Sequence, residues 1–223
     1  MRPIFFMLVV AACGSPAPPW QLAHESIIAV RATPPHIVSG EQSTIDVLVG
    51  HIGSGVEVEA PGSAAVLSPT SLAHILSGAT ITAPGGTELD QVRGDLGLGS
   101  SDPVPVEIQI DADGFQVMKT VYVGDSADNP LLENLLVNGA APPTDPTQTI
   151  VVPGDVDVQL TGSNDDSIER INWLTSCGTM NNYNQTTATL HVSPTDTQDG
   201  QLAIVVRDQN AGVVWQYWSI AAQ

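Results

Sequence analysis

The carboxylates are the side chains of this chain with the widest chemical reach. Asp165, Asp166 and Glu169 crowd one short stretch, and Asp208 lies in a later loop that could share its end of a folded domain. Hard oxygen donors in a cluster suit Ca²⁺, so these four are the candidate calcium ligands. Asp and Asn also belong in turns, because their side chains bond the local backbone. The turn reading takes precedence, and no metal site is assigned. Glu57 and Glu59 alternate along one short stretch and would share a strand face. Paired carboxylates can raise one another's pKa and could serve glycan chemistry, but a solvated face is the simpler reading.

No catalytic constellation accompanies them. No serine sits in a Gly-x-Ser-x-Gly elbow, and there is no Cys-x-x-Cys. His24, His36, His51, His74 and His191 are scattered, without the spacing of a helical metal-binding pair, and read as surface or strand-end residues. Asp111-Ala112-Asp113-Gly114 follows part of a calcium-loop spacing, but Gln109 and Thr120 stand at other key positions, so it reads as a turn. The glycines at 94, 97 and 99 have no Lys-Ser or Lys-Thr after them and make no phosphate loop. Cys177 could be a reactive thiol; a small buried or turn residue is the favoured reading.

One further residue has a specific chemical context. Arg2 precedes an unbroken apolar run, Ile4 to Val10, followed by the small pair Ala11-Ala12 and then Cys13. Charge, apolar run and small residues are the layout of a secretory signal. The run is far short of the roughly 20 residues needed to span a bilayer as a helix. Val10-Ala11-Ala12-Cys13 resembles the lipobox of bacterial lipoproteins. That resemblance implies cleavage before Cys13, a diacylglycerol on its thiol and acylation of the new amine. Several acyl chains are what stable anchoring requires, at roughly 0.8 kcal/mol per buried methylene. Gly14, where an aspartate would favour inner-membrane retention, implies the outer membrane under the same resemblance.

The net charge is −18. Loss of residues 1–12 would remove Arg2 alone among the charged side chains and make the chain more acidic still. Such a surface repels phosphate backbones, which excludes nucleic acid as a partner. Abundant Val and Ile with almost no Lys favour strands over surface helices.

The elements that must carry these residues read as strands. Residues 13–24 form a lipidated cysteine and a flexible, Pro-rich tether, on which Trp20 sits at the headgroup level or packs under the first domain. Residues 25–124 form a first domain. Ser43 to Val49 alternates, with Ile45, Val47 and Val49 on the core face and Leu48 on the other, as a half-buried strand. Val104 to Ile110 and Phe115 to Val123 flank an Asp-Gly turn as a hairpin. Residues 60 to 103 are poorly patterned and predict two or three short strands with long turns. No useful helix is expected anywhere. Residues 125–130 are a polar linker, and 131–223 a second domain closing in a hairpin that turns at 208–212.

The chain repeats itself. Ile37-Val38-Ser39-Gly40 before Ile45-Asp46-Val47 matches Val151-Val152-Pro153-Gly154 before Val156-Asp157-Val158, and the two terminal hairpins correspond. The first copy is longer by roughly seventeen residues between these landmarks. Short strands punctuated by turns predict β-sandwiches. Trp173, mid-strand beside Ile171, stands where immunoglobulin-like folds place a core tryptophan. Val205-Val206-Arg207-Asp208 with Gly212-Val213-Val214-Trp215 resembles the immunoglobulin-like or PKD-like modules of bacterial surface lipoproteins. The expectation is an all-β protein: two tandem immunoglobulin-like β-sandwich domains after a signal peptide (1–12) and a tether. Its function would be non-catalytic binding or scaffolding at the cell envelope, with the bilayer as one partner through acylated Cys13 and an envelope protein or glycan as the other. A spacer or adhesin, or an accessory subunit of a glycan-processing enzyme, are the alternatives.

Overall fold

A computed structural model describes residues 18–22, 24–53, 55–145, 147–162 and 168–223. The leader, Cys13, Asp165 and Asp166 lie outside them.

Alternating apolar residues build two sandwiches with one strand plan. The first contains β1 (Ser26–Thr33), β2 (His36–Ile37), β3 (Gln42–His51), β4 (Gly55–Glu59), β5 (Ser63–Ser68), β6 (Leu76–Ser77), β7 (Thr80–Thr82), β8 (Val104–Ala112) and β9 (Phe115–Val123). One sheet runs β1-β3-β7-β6, with β4 also paired to β3, and the other runs β2-β9-β8-β5. The second sandwich contains β10 (Leu136–Val137), β11 (Ile150–Val152), β12 (Asp157–Thr161), β13 (Ile168–Thr175), β14 (Thr179–Asn181), β15 (Thr187–His191), β16 (Asp199–Asp208) and β17 (Val213–Ala222). Its sheets run β10-β12-β15-β14 and β11-β17-β16-β13. Apart from β4, which has no counterpart in the second sandwich, the orders match strand for strand. In each copy the first strand pairs antiparallel in one sheet, and a short continuation crosses over to pair parallel with the last strand, β2 with β9 and β11 with β17. This is the immunoglobulin-like arrangement, duplicated as the sequence repeat implies.

Each sandwich has its own core. Ile45, Val47 and Val49 meet Val106, Ile108 and Ile110 in the first. Leu160 and Leu190 meet Trp173, Ile204 and Trp218 in the second. Trp173 is fully buried on β13, as expected. The hairpin turn before β9 has positive φ at both Asp113 (47°) and Gly114 (79°), the pairing a tight type I′ turn demands.

Three departures from the sequence reading matter. The 60 to 103 stretch does hold three short strands, but also a 3₁₀ turn at Thr70–Ile75 and a true helix, α1 (Gly86–Leu96). The helix has Glu88 in its first turn and Arg93 in its last, matching the helix dipole. Leu89 and Val92 bury its inner face, and left-handed Gly97 (φ 69°) ends it by bonding the Arg93 and Gly94 carbonyls. Its apolar stripe is too thin to stand out in a Gly- and Ser-rich stretch.

Second, β3 is covered on both faces. Leu48 is fully buried, and it is buried against the other sandwich. Ala29, Leu48 and Val56 from the first sandwich meet Leu174, Ala203, Val205, Val213 and Trp215 from the second. The sheet holding β1 and β3 therefore packs face to face on the sheet holding β16 and β17. The molecule is a four-layer stack with three apolar seams.

Third, residues 20–22 are no free tether. The Thr175 N–H donates to the Trp20 carbonyl (2.9 Å) and the Leu22 N–H to the Thr175 carbonyl (2.9 Å). They extend the free edge of β13 in parallel, through the Gln21–Thr175 bridge. Leu22 is only 1% exposed, within the middle seam, and Trp20 packs against the core of the second sandwich, neither under the first domain nor apart from both.

Leu48 tests the middle seam, because it contributes nothing to its own sandwich's core. Leu48→Ala is expected to lower the unfolding free energy by about 2–5 kcal/mol, as for a core leucine, in urea denaturation followed by tryptophan fluorescence. A loss under about 0.5 kcal/mol, as at an open surface, would mean the seam is not closed in solution.

Candidate functional site

Polar groups ring the middle seam and are mostly spent on holding it. The tip of the β16–β17 hairpin inserts against the first sandwich and residues 125–130. His36, buried, stands between Asp125 Oδ1 (2.8 Å) and the Asn210 carbonyl (2.9 Å). Asn129 donates to the Ala32 carbonyl (2.9 Å) and accepts from the Val213 N–H (2.8 Å). Lys119 Nζ donates to the Ala211 carbonyl. Arg207 donates to the Ile28 carbonyl (3.0 Å) and to Asn172 Oδ1 (3.2 Å). The Val56 N–H donates to the Gln201 side chain. Gly55 has φ 88°, in the left-handed region that favours glycine, and the Gln201 amide packs directly over it.

Clefts open along this seam. One, of about 310 Å³, is bordered by Gln21, His24, Ile28, Asn172, Tyr183 and Arg207. A second, of about 290 Å³, lies on the other side of Ile28 and Arg207 and includes Met118, Lys119, Glu169 and Asp208. Burial lowers the pKa of Arg207, aided by the nearby Arg170 charge.

The sequence-nominated residues fall as follows. Glu169 is exposed and Asp208 buried, both on the second cleft. Asp208 Oδ1 accepts from the Asn210 N–H (2.8 Å) and the Gly212 N–H (2.7 Å), so that oxygen serves its own turn. Cys177 is buried beside Thr175, and burial pushes its thiol pKa up, which makes it a poor nucleophile. His74 faces Glu88 (3.2 Å), and His191, at the end of β15, faces Asp157 (2.9 Å).

His51 is where the sequence reading fell furthest short. It is the last residue of β3 and gathers carboxylates from three other places. Its Nδ1 faces Glu25 Oε2 at 3.0 Å and Asp113 Oδ2 at 3.7 Å; its Nε2 faces Glu59 Oε1 at 3.1 Å. Glu57 joins Glu59 around the same ring. The other Glu25 oxygen, Oε1, accepts from the Ile52 N–H (3.0 Å). The bond to Glu25 does most to raise the His51 pKa, against a partial opposing effect of burial, and the Ile52 N–H does most to lower that of Glu25. The register of β1 on β3, which pairs Ser26 with Gly50, is what brings Glu25 beside His51. Sequence spacing alone carries no trace of that.

Comparison with known proteins adds the following. No family model matches the chain, and no curated protein matches it. Among solved structures, a nucleoside hydrolase-related hypothetical protein of Saccharophagus degradans aligns at 12% identity and TM-score 0.33 over 47% of this chain, which spans 35% of that protein's length. The fibronectin(III)-like modules of Clostridium thermocellum CbhA align at 13% identity and TM-score 0.27, covering 90% of this chain and 94% of theirs. Tandem immunoglobulin domains of titin align at 9% identity and TM-score 0.26, covering 90% and 98%. Similarity this low carries no argument about function. The fold assignment rests on the strand order itself.

Lys119 yields a pH-dependent test of the seam. It is 6% exposed, and burial lowers its pKa to about 8, with the Asp208 charge opposing that fall. Unfolded, it titrates near 10.4. The folded state therefore binds this proton more weakly, and the resulting penalty is complete below about pH 8. Stability contributed by Lys119 should rise between about pH 8 and 10.5, by roughly 2–3 kcal/mol. Urea denaturation at pH 7.5 and 10.5 should show that rise in the wild type and not in Lys119→Met. Parallel pH profiles for the two proteins would contradict a buried, charged Lys119.

Proposed function

We propose that the chain is a non-catalytic binding or scaffolding lipoprotein of a bacterial cell envelope, held at the outer membrane by acyl groups on Cys13 and recognising a protein or glycan. The lipobox-like Val10-Ala11-Ala12-Cys13 motivates the anchor. The observation that carries the rest is the path of residues 20–22, which are bonded to β13 of the second sandwich immediately before the chain enters β1 of the first. Only four residues separate Cys13 from Pro18, a reach of under about 20 Å even fully extended. An anchor at residue 13 would therefore hold both sandwiches by their common seam, as one body close to the bilayer.

That geometry favours recognition over a spacer. A spacer gains reach by stacking domains end to end, whereas these sandwiches lie face to face and forgo it. It also gives little support to an enzyme, because the seam's buried histidine and cations are engaged in joining the two halves. Glu59, nominated for glycan chemistry, is engaged by His51.

The anchor is tested by expressing the full chain in a bacterial host with labelled palmitate. The expected result is label in the chain and recovery in the membrane fraction, with Cys13→Ala unlabelled and soluble. An unlabelled, fully soluble wild type would end this reading.

A further inference from the structure

We infer that the His51 cluster is a binding site for a divalent transition metal of the zinc class. The inference goes beyond the lipoprotein reading and stands independently of it.

A neutral imidazole carries one N–H. If Nε2 donates it to Glu59 (3.1 Å), the Nδ1 lone pair is left facing Glu25 (3.0 Å) and Asp113 (3.7 Å). Three acceptors then converge with nothing positive between them. Moving the proton to Nδ1 only shifts the vacancy to Glu59. A cation seated among them would complete the group. A second proton on the ring supplies one positive charge against the carboxylates of Glu25, Glu57, Glu59 and Asp113, which still leaves the group strongly negative. A divalent ion offsets twice as much, on a chain that is already highly acidic.

The donor set selects the ion. Imidazole with two carboxylates suits zinc and its neighbours, whereas calcium and magnesium take oxygen ligands almost alone. For metal bonds of about 2.0–2.1 Å, the edges of a tetrahedral site are about 3.3 Å, and the two Nδ1-to-oxygen separations, 3.0 and 3.7 Å, bracket that length. Glu25, His51 Nδ1 and Asp113 are the ligands, and water fills the fourth position. Glu59 on Nε2 is the outer carboxylate that fixes the ring's tautomer and orientation, the usual companion of a metal-bound histidine. The Ile52 N–H holds Glu25 in place from behind (3.0 Å). The ligands come from the residue before β1, the end of β3 and the β8–β9 turn, so the ion would tie the two sheets of the first sandwich together at one end. The His51 side chain is 21% exposed, which leaves the site open to solution.

The test is titration of the purified full-length chain with ZnCl₂ and, separately, CaCl₂, by calorimetry and chelator competition. One zinc per chain is expected, bound at least tenfold more tightly than calcium. Glu25→Gln and His51→Gln should each weaken it at least tenfold. His191→Gln, which removes a histidine set between two other carboxylates, those of Asp155 and Asp157, should leave it unchanged. In the intact protein, zinc should shift the His51 ring resonances and no other histidine's to a comparable extent, a readout that does not depend on either variant folding. Absence of zinc uptake, uptake unchanged in Glu25→Gln, equal affinity for calcium, or an unmoved His51 resonance would each overturn the assignment.

Discussion

The structure depends on two strands that are apolar on both faces. β3 presents Ile45, Val47 and Val49 to one core and Leu48 to the seam. β16 presents Leu202, Ile204 and Val206 to the other core and Ala203 and Val205 to the same seam. A strand in an ordinary sandwich spends its outward residues on water. Here both central strands give up that face to each other. The unfolded chain must then pay to expose the seam as well as the cores, so the sandwiches share stability that neither would have alone.

The seam also takes three of the five described Lys and Arg side chains of this lysine-poor chain. Arg31 grips Asp46 through both its Nε (3.1 Å) and Nη2 (2.5 Å), and its guanidinium lies 4.1 Å from the centre of the Trp215 ring. Lys119 and Arg207 each reach a backbone carbonyl of the opposite sandwich. Charge-assisted bonds to carbonyls are directional, whereas apolar contact is not. Leucines and valines supply the attraction between the layers; the three cations and His36 fix how one layer is set upon the other. Lys119 shows the expense, since burial pulls its pKa to about 8.

Strand identity, both hairpins, the internal repeat and the core role of Trp173 were legible in the sequence, because each is written in spacing a few residues long. The seam was written there too, in a form that strand-by-strand reading passes over. Val47-Leu48-Val49 and Leu202-Ala203-Ile204-Val205-Val206 are unbroken apolar runs, the mark of strands buried on both sides. Assigning Leu48 to an outer face was right; assigning that face to solvent was not. α1 escaped because only Leu89 and Val92 carry its buried stripe. An acidic residue in a loop can serve an ion or its own backbone, and at Asp208 the Asn210 and Gly212 N–H groups take up Oδ1. Of the His51 group only the Glu57–Glu59 pair and the Asp113 turn showed in the sequence; what joins them to His51 and Glu25 is register between strands and across sheets.

The path of the chain gives the seam an order of assembly. Residues 20–22 bond β13, more than a hundred and fifty positions later, before the chain has begun the first sandwich. During synthesis the first sandwich can form while the second is still being made. Leu22, Ala29, Leu48 and Val56 would then lie open, and the N-terminal segment would have no edge to join. Only when β13, β16 and β17 are in place do all three requirements close together: the apolar face is covered, the cations find their carbonyls, and residues 20–22 cap an edge that would otherwise invite strand pairing with other chains. The segment nearest any anchor thus has its bonding partner in β13, made far later along the chain.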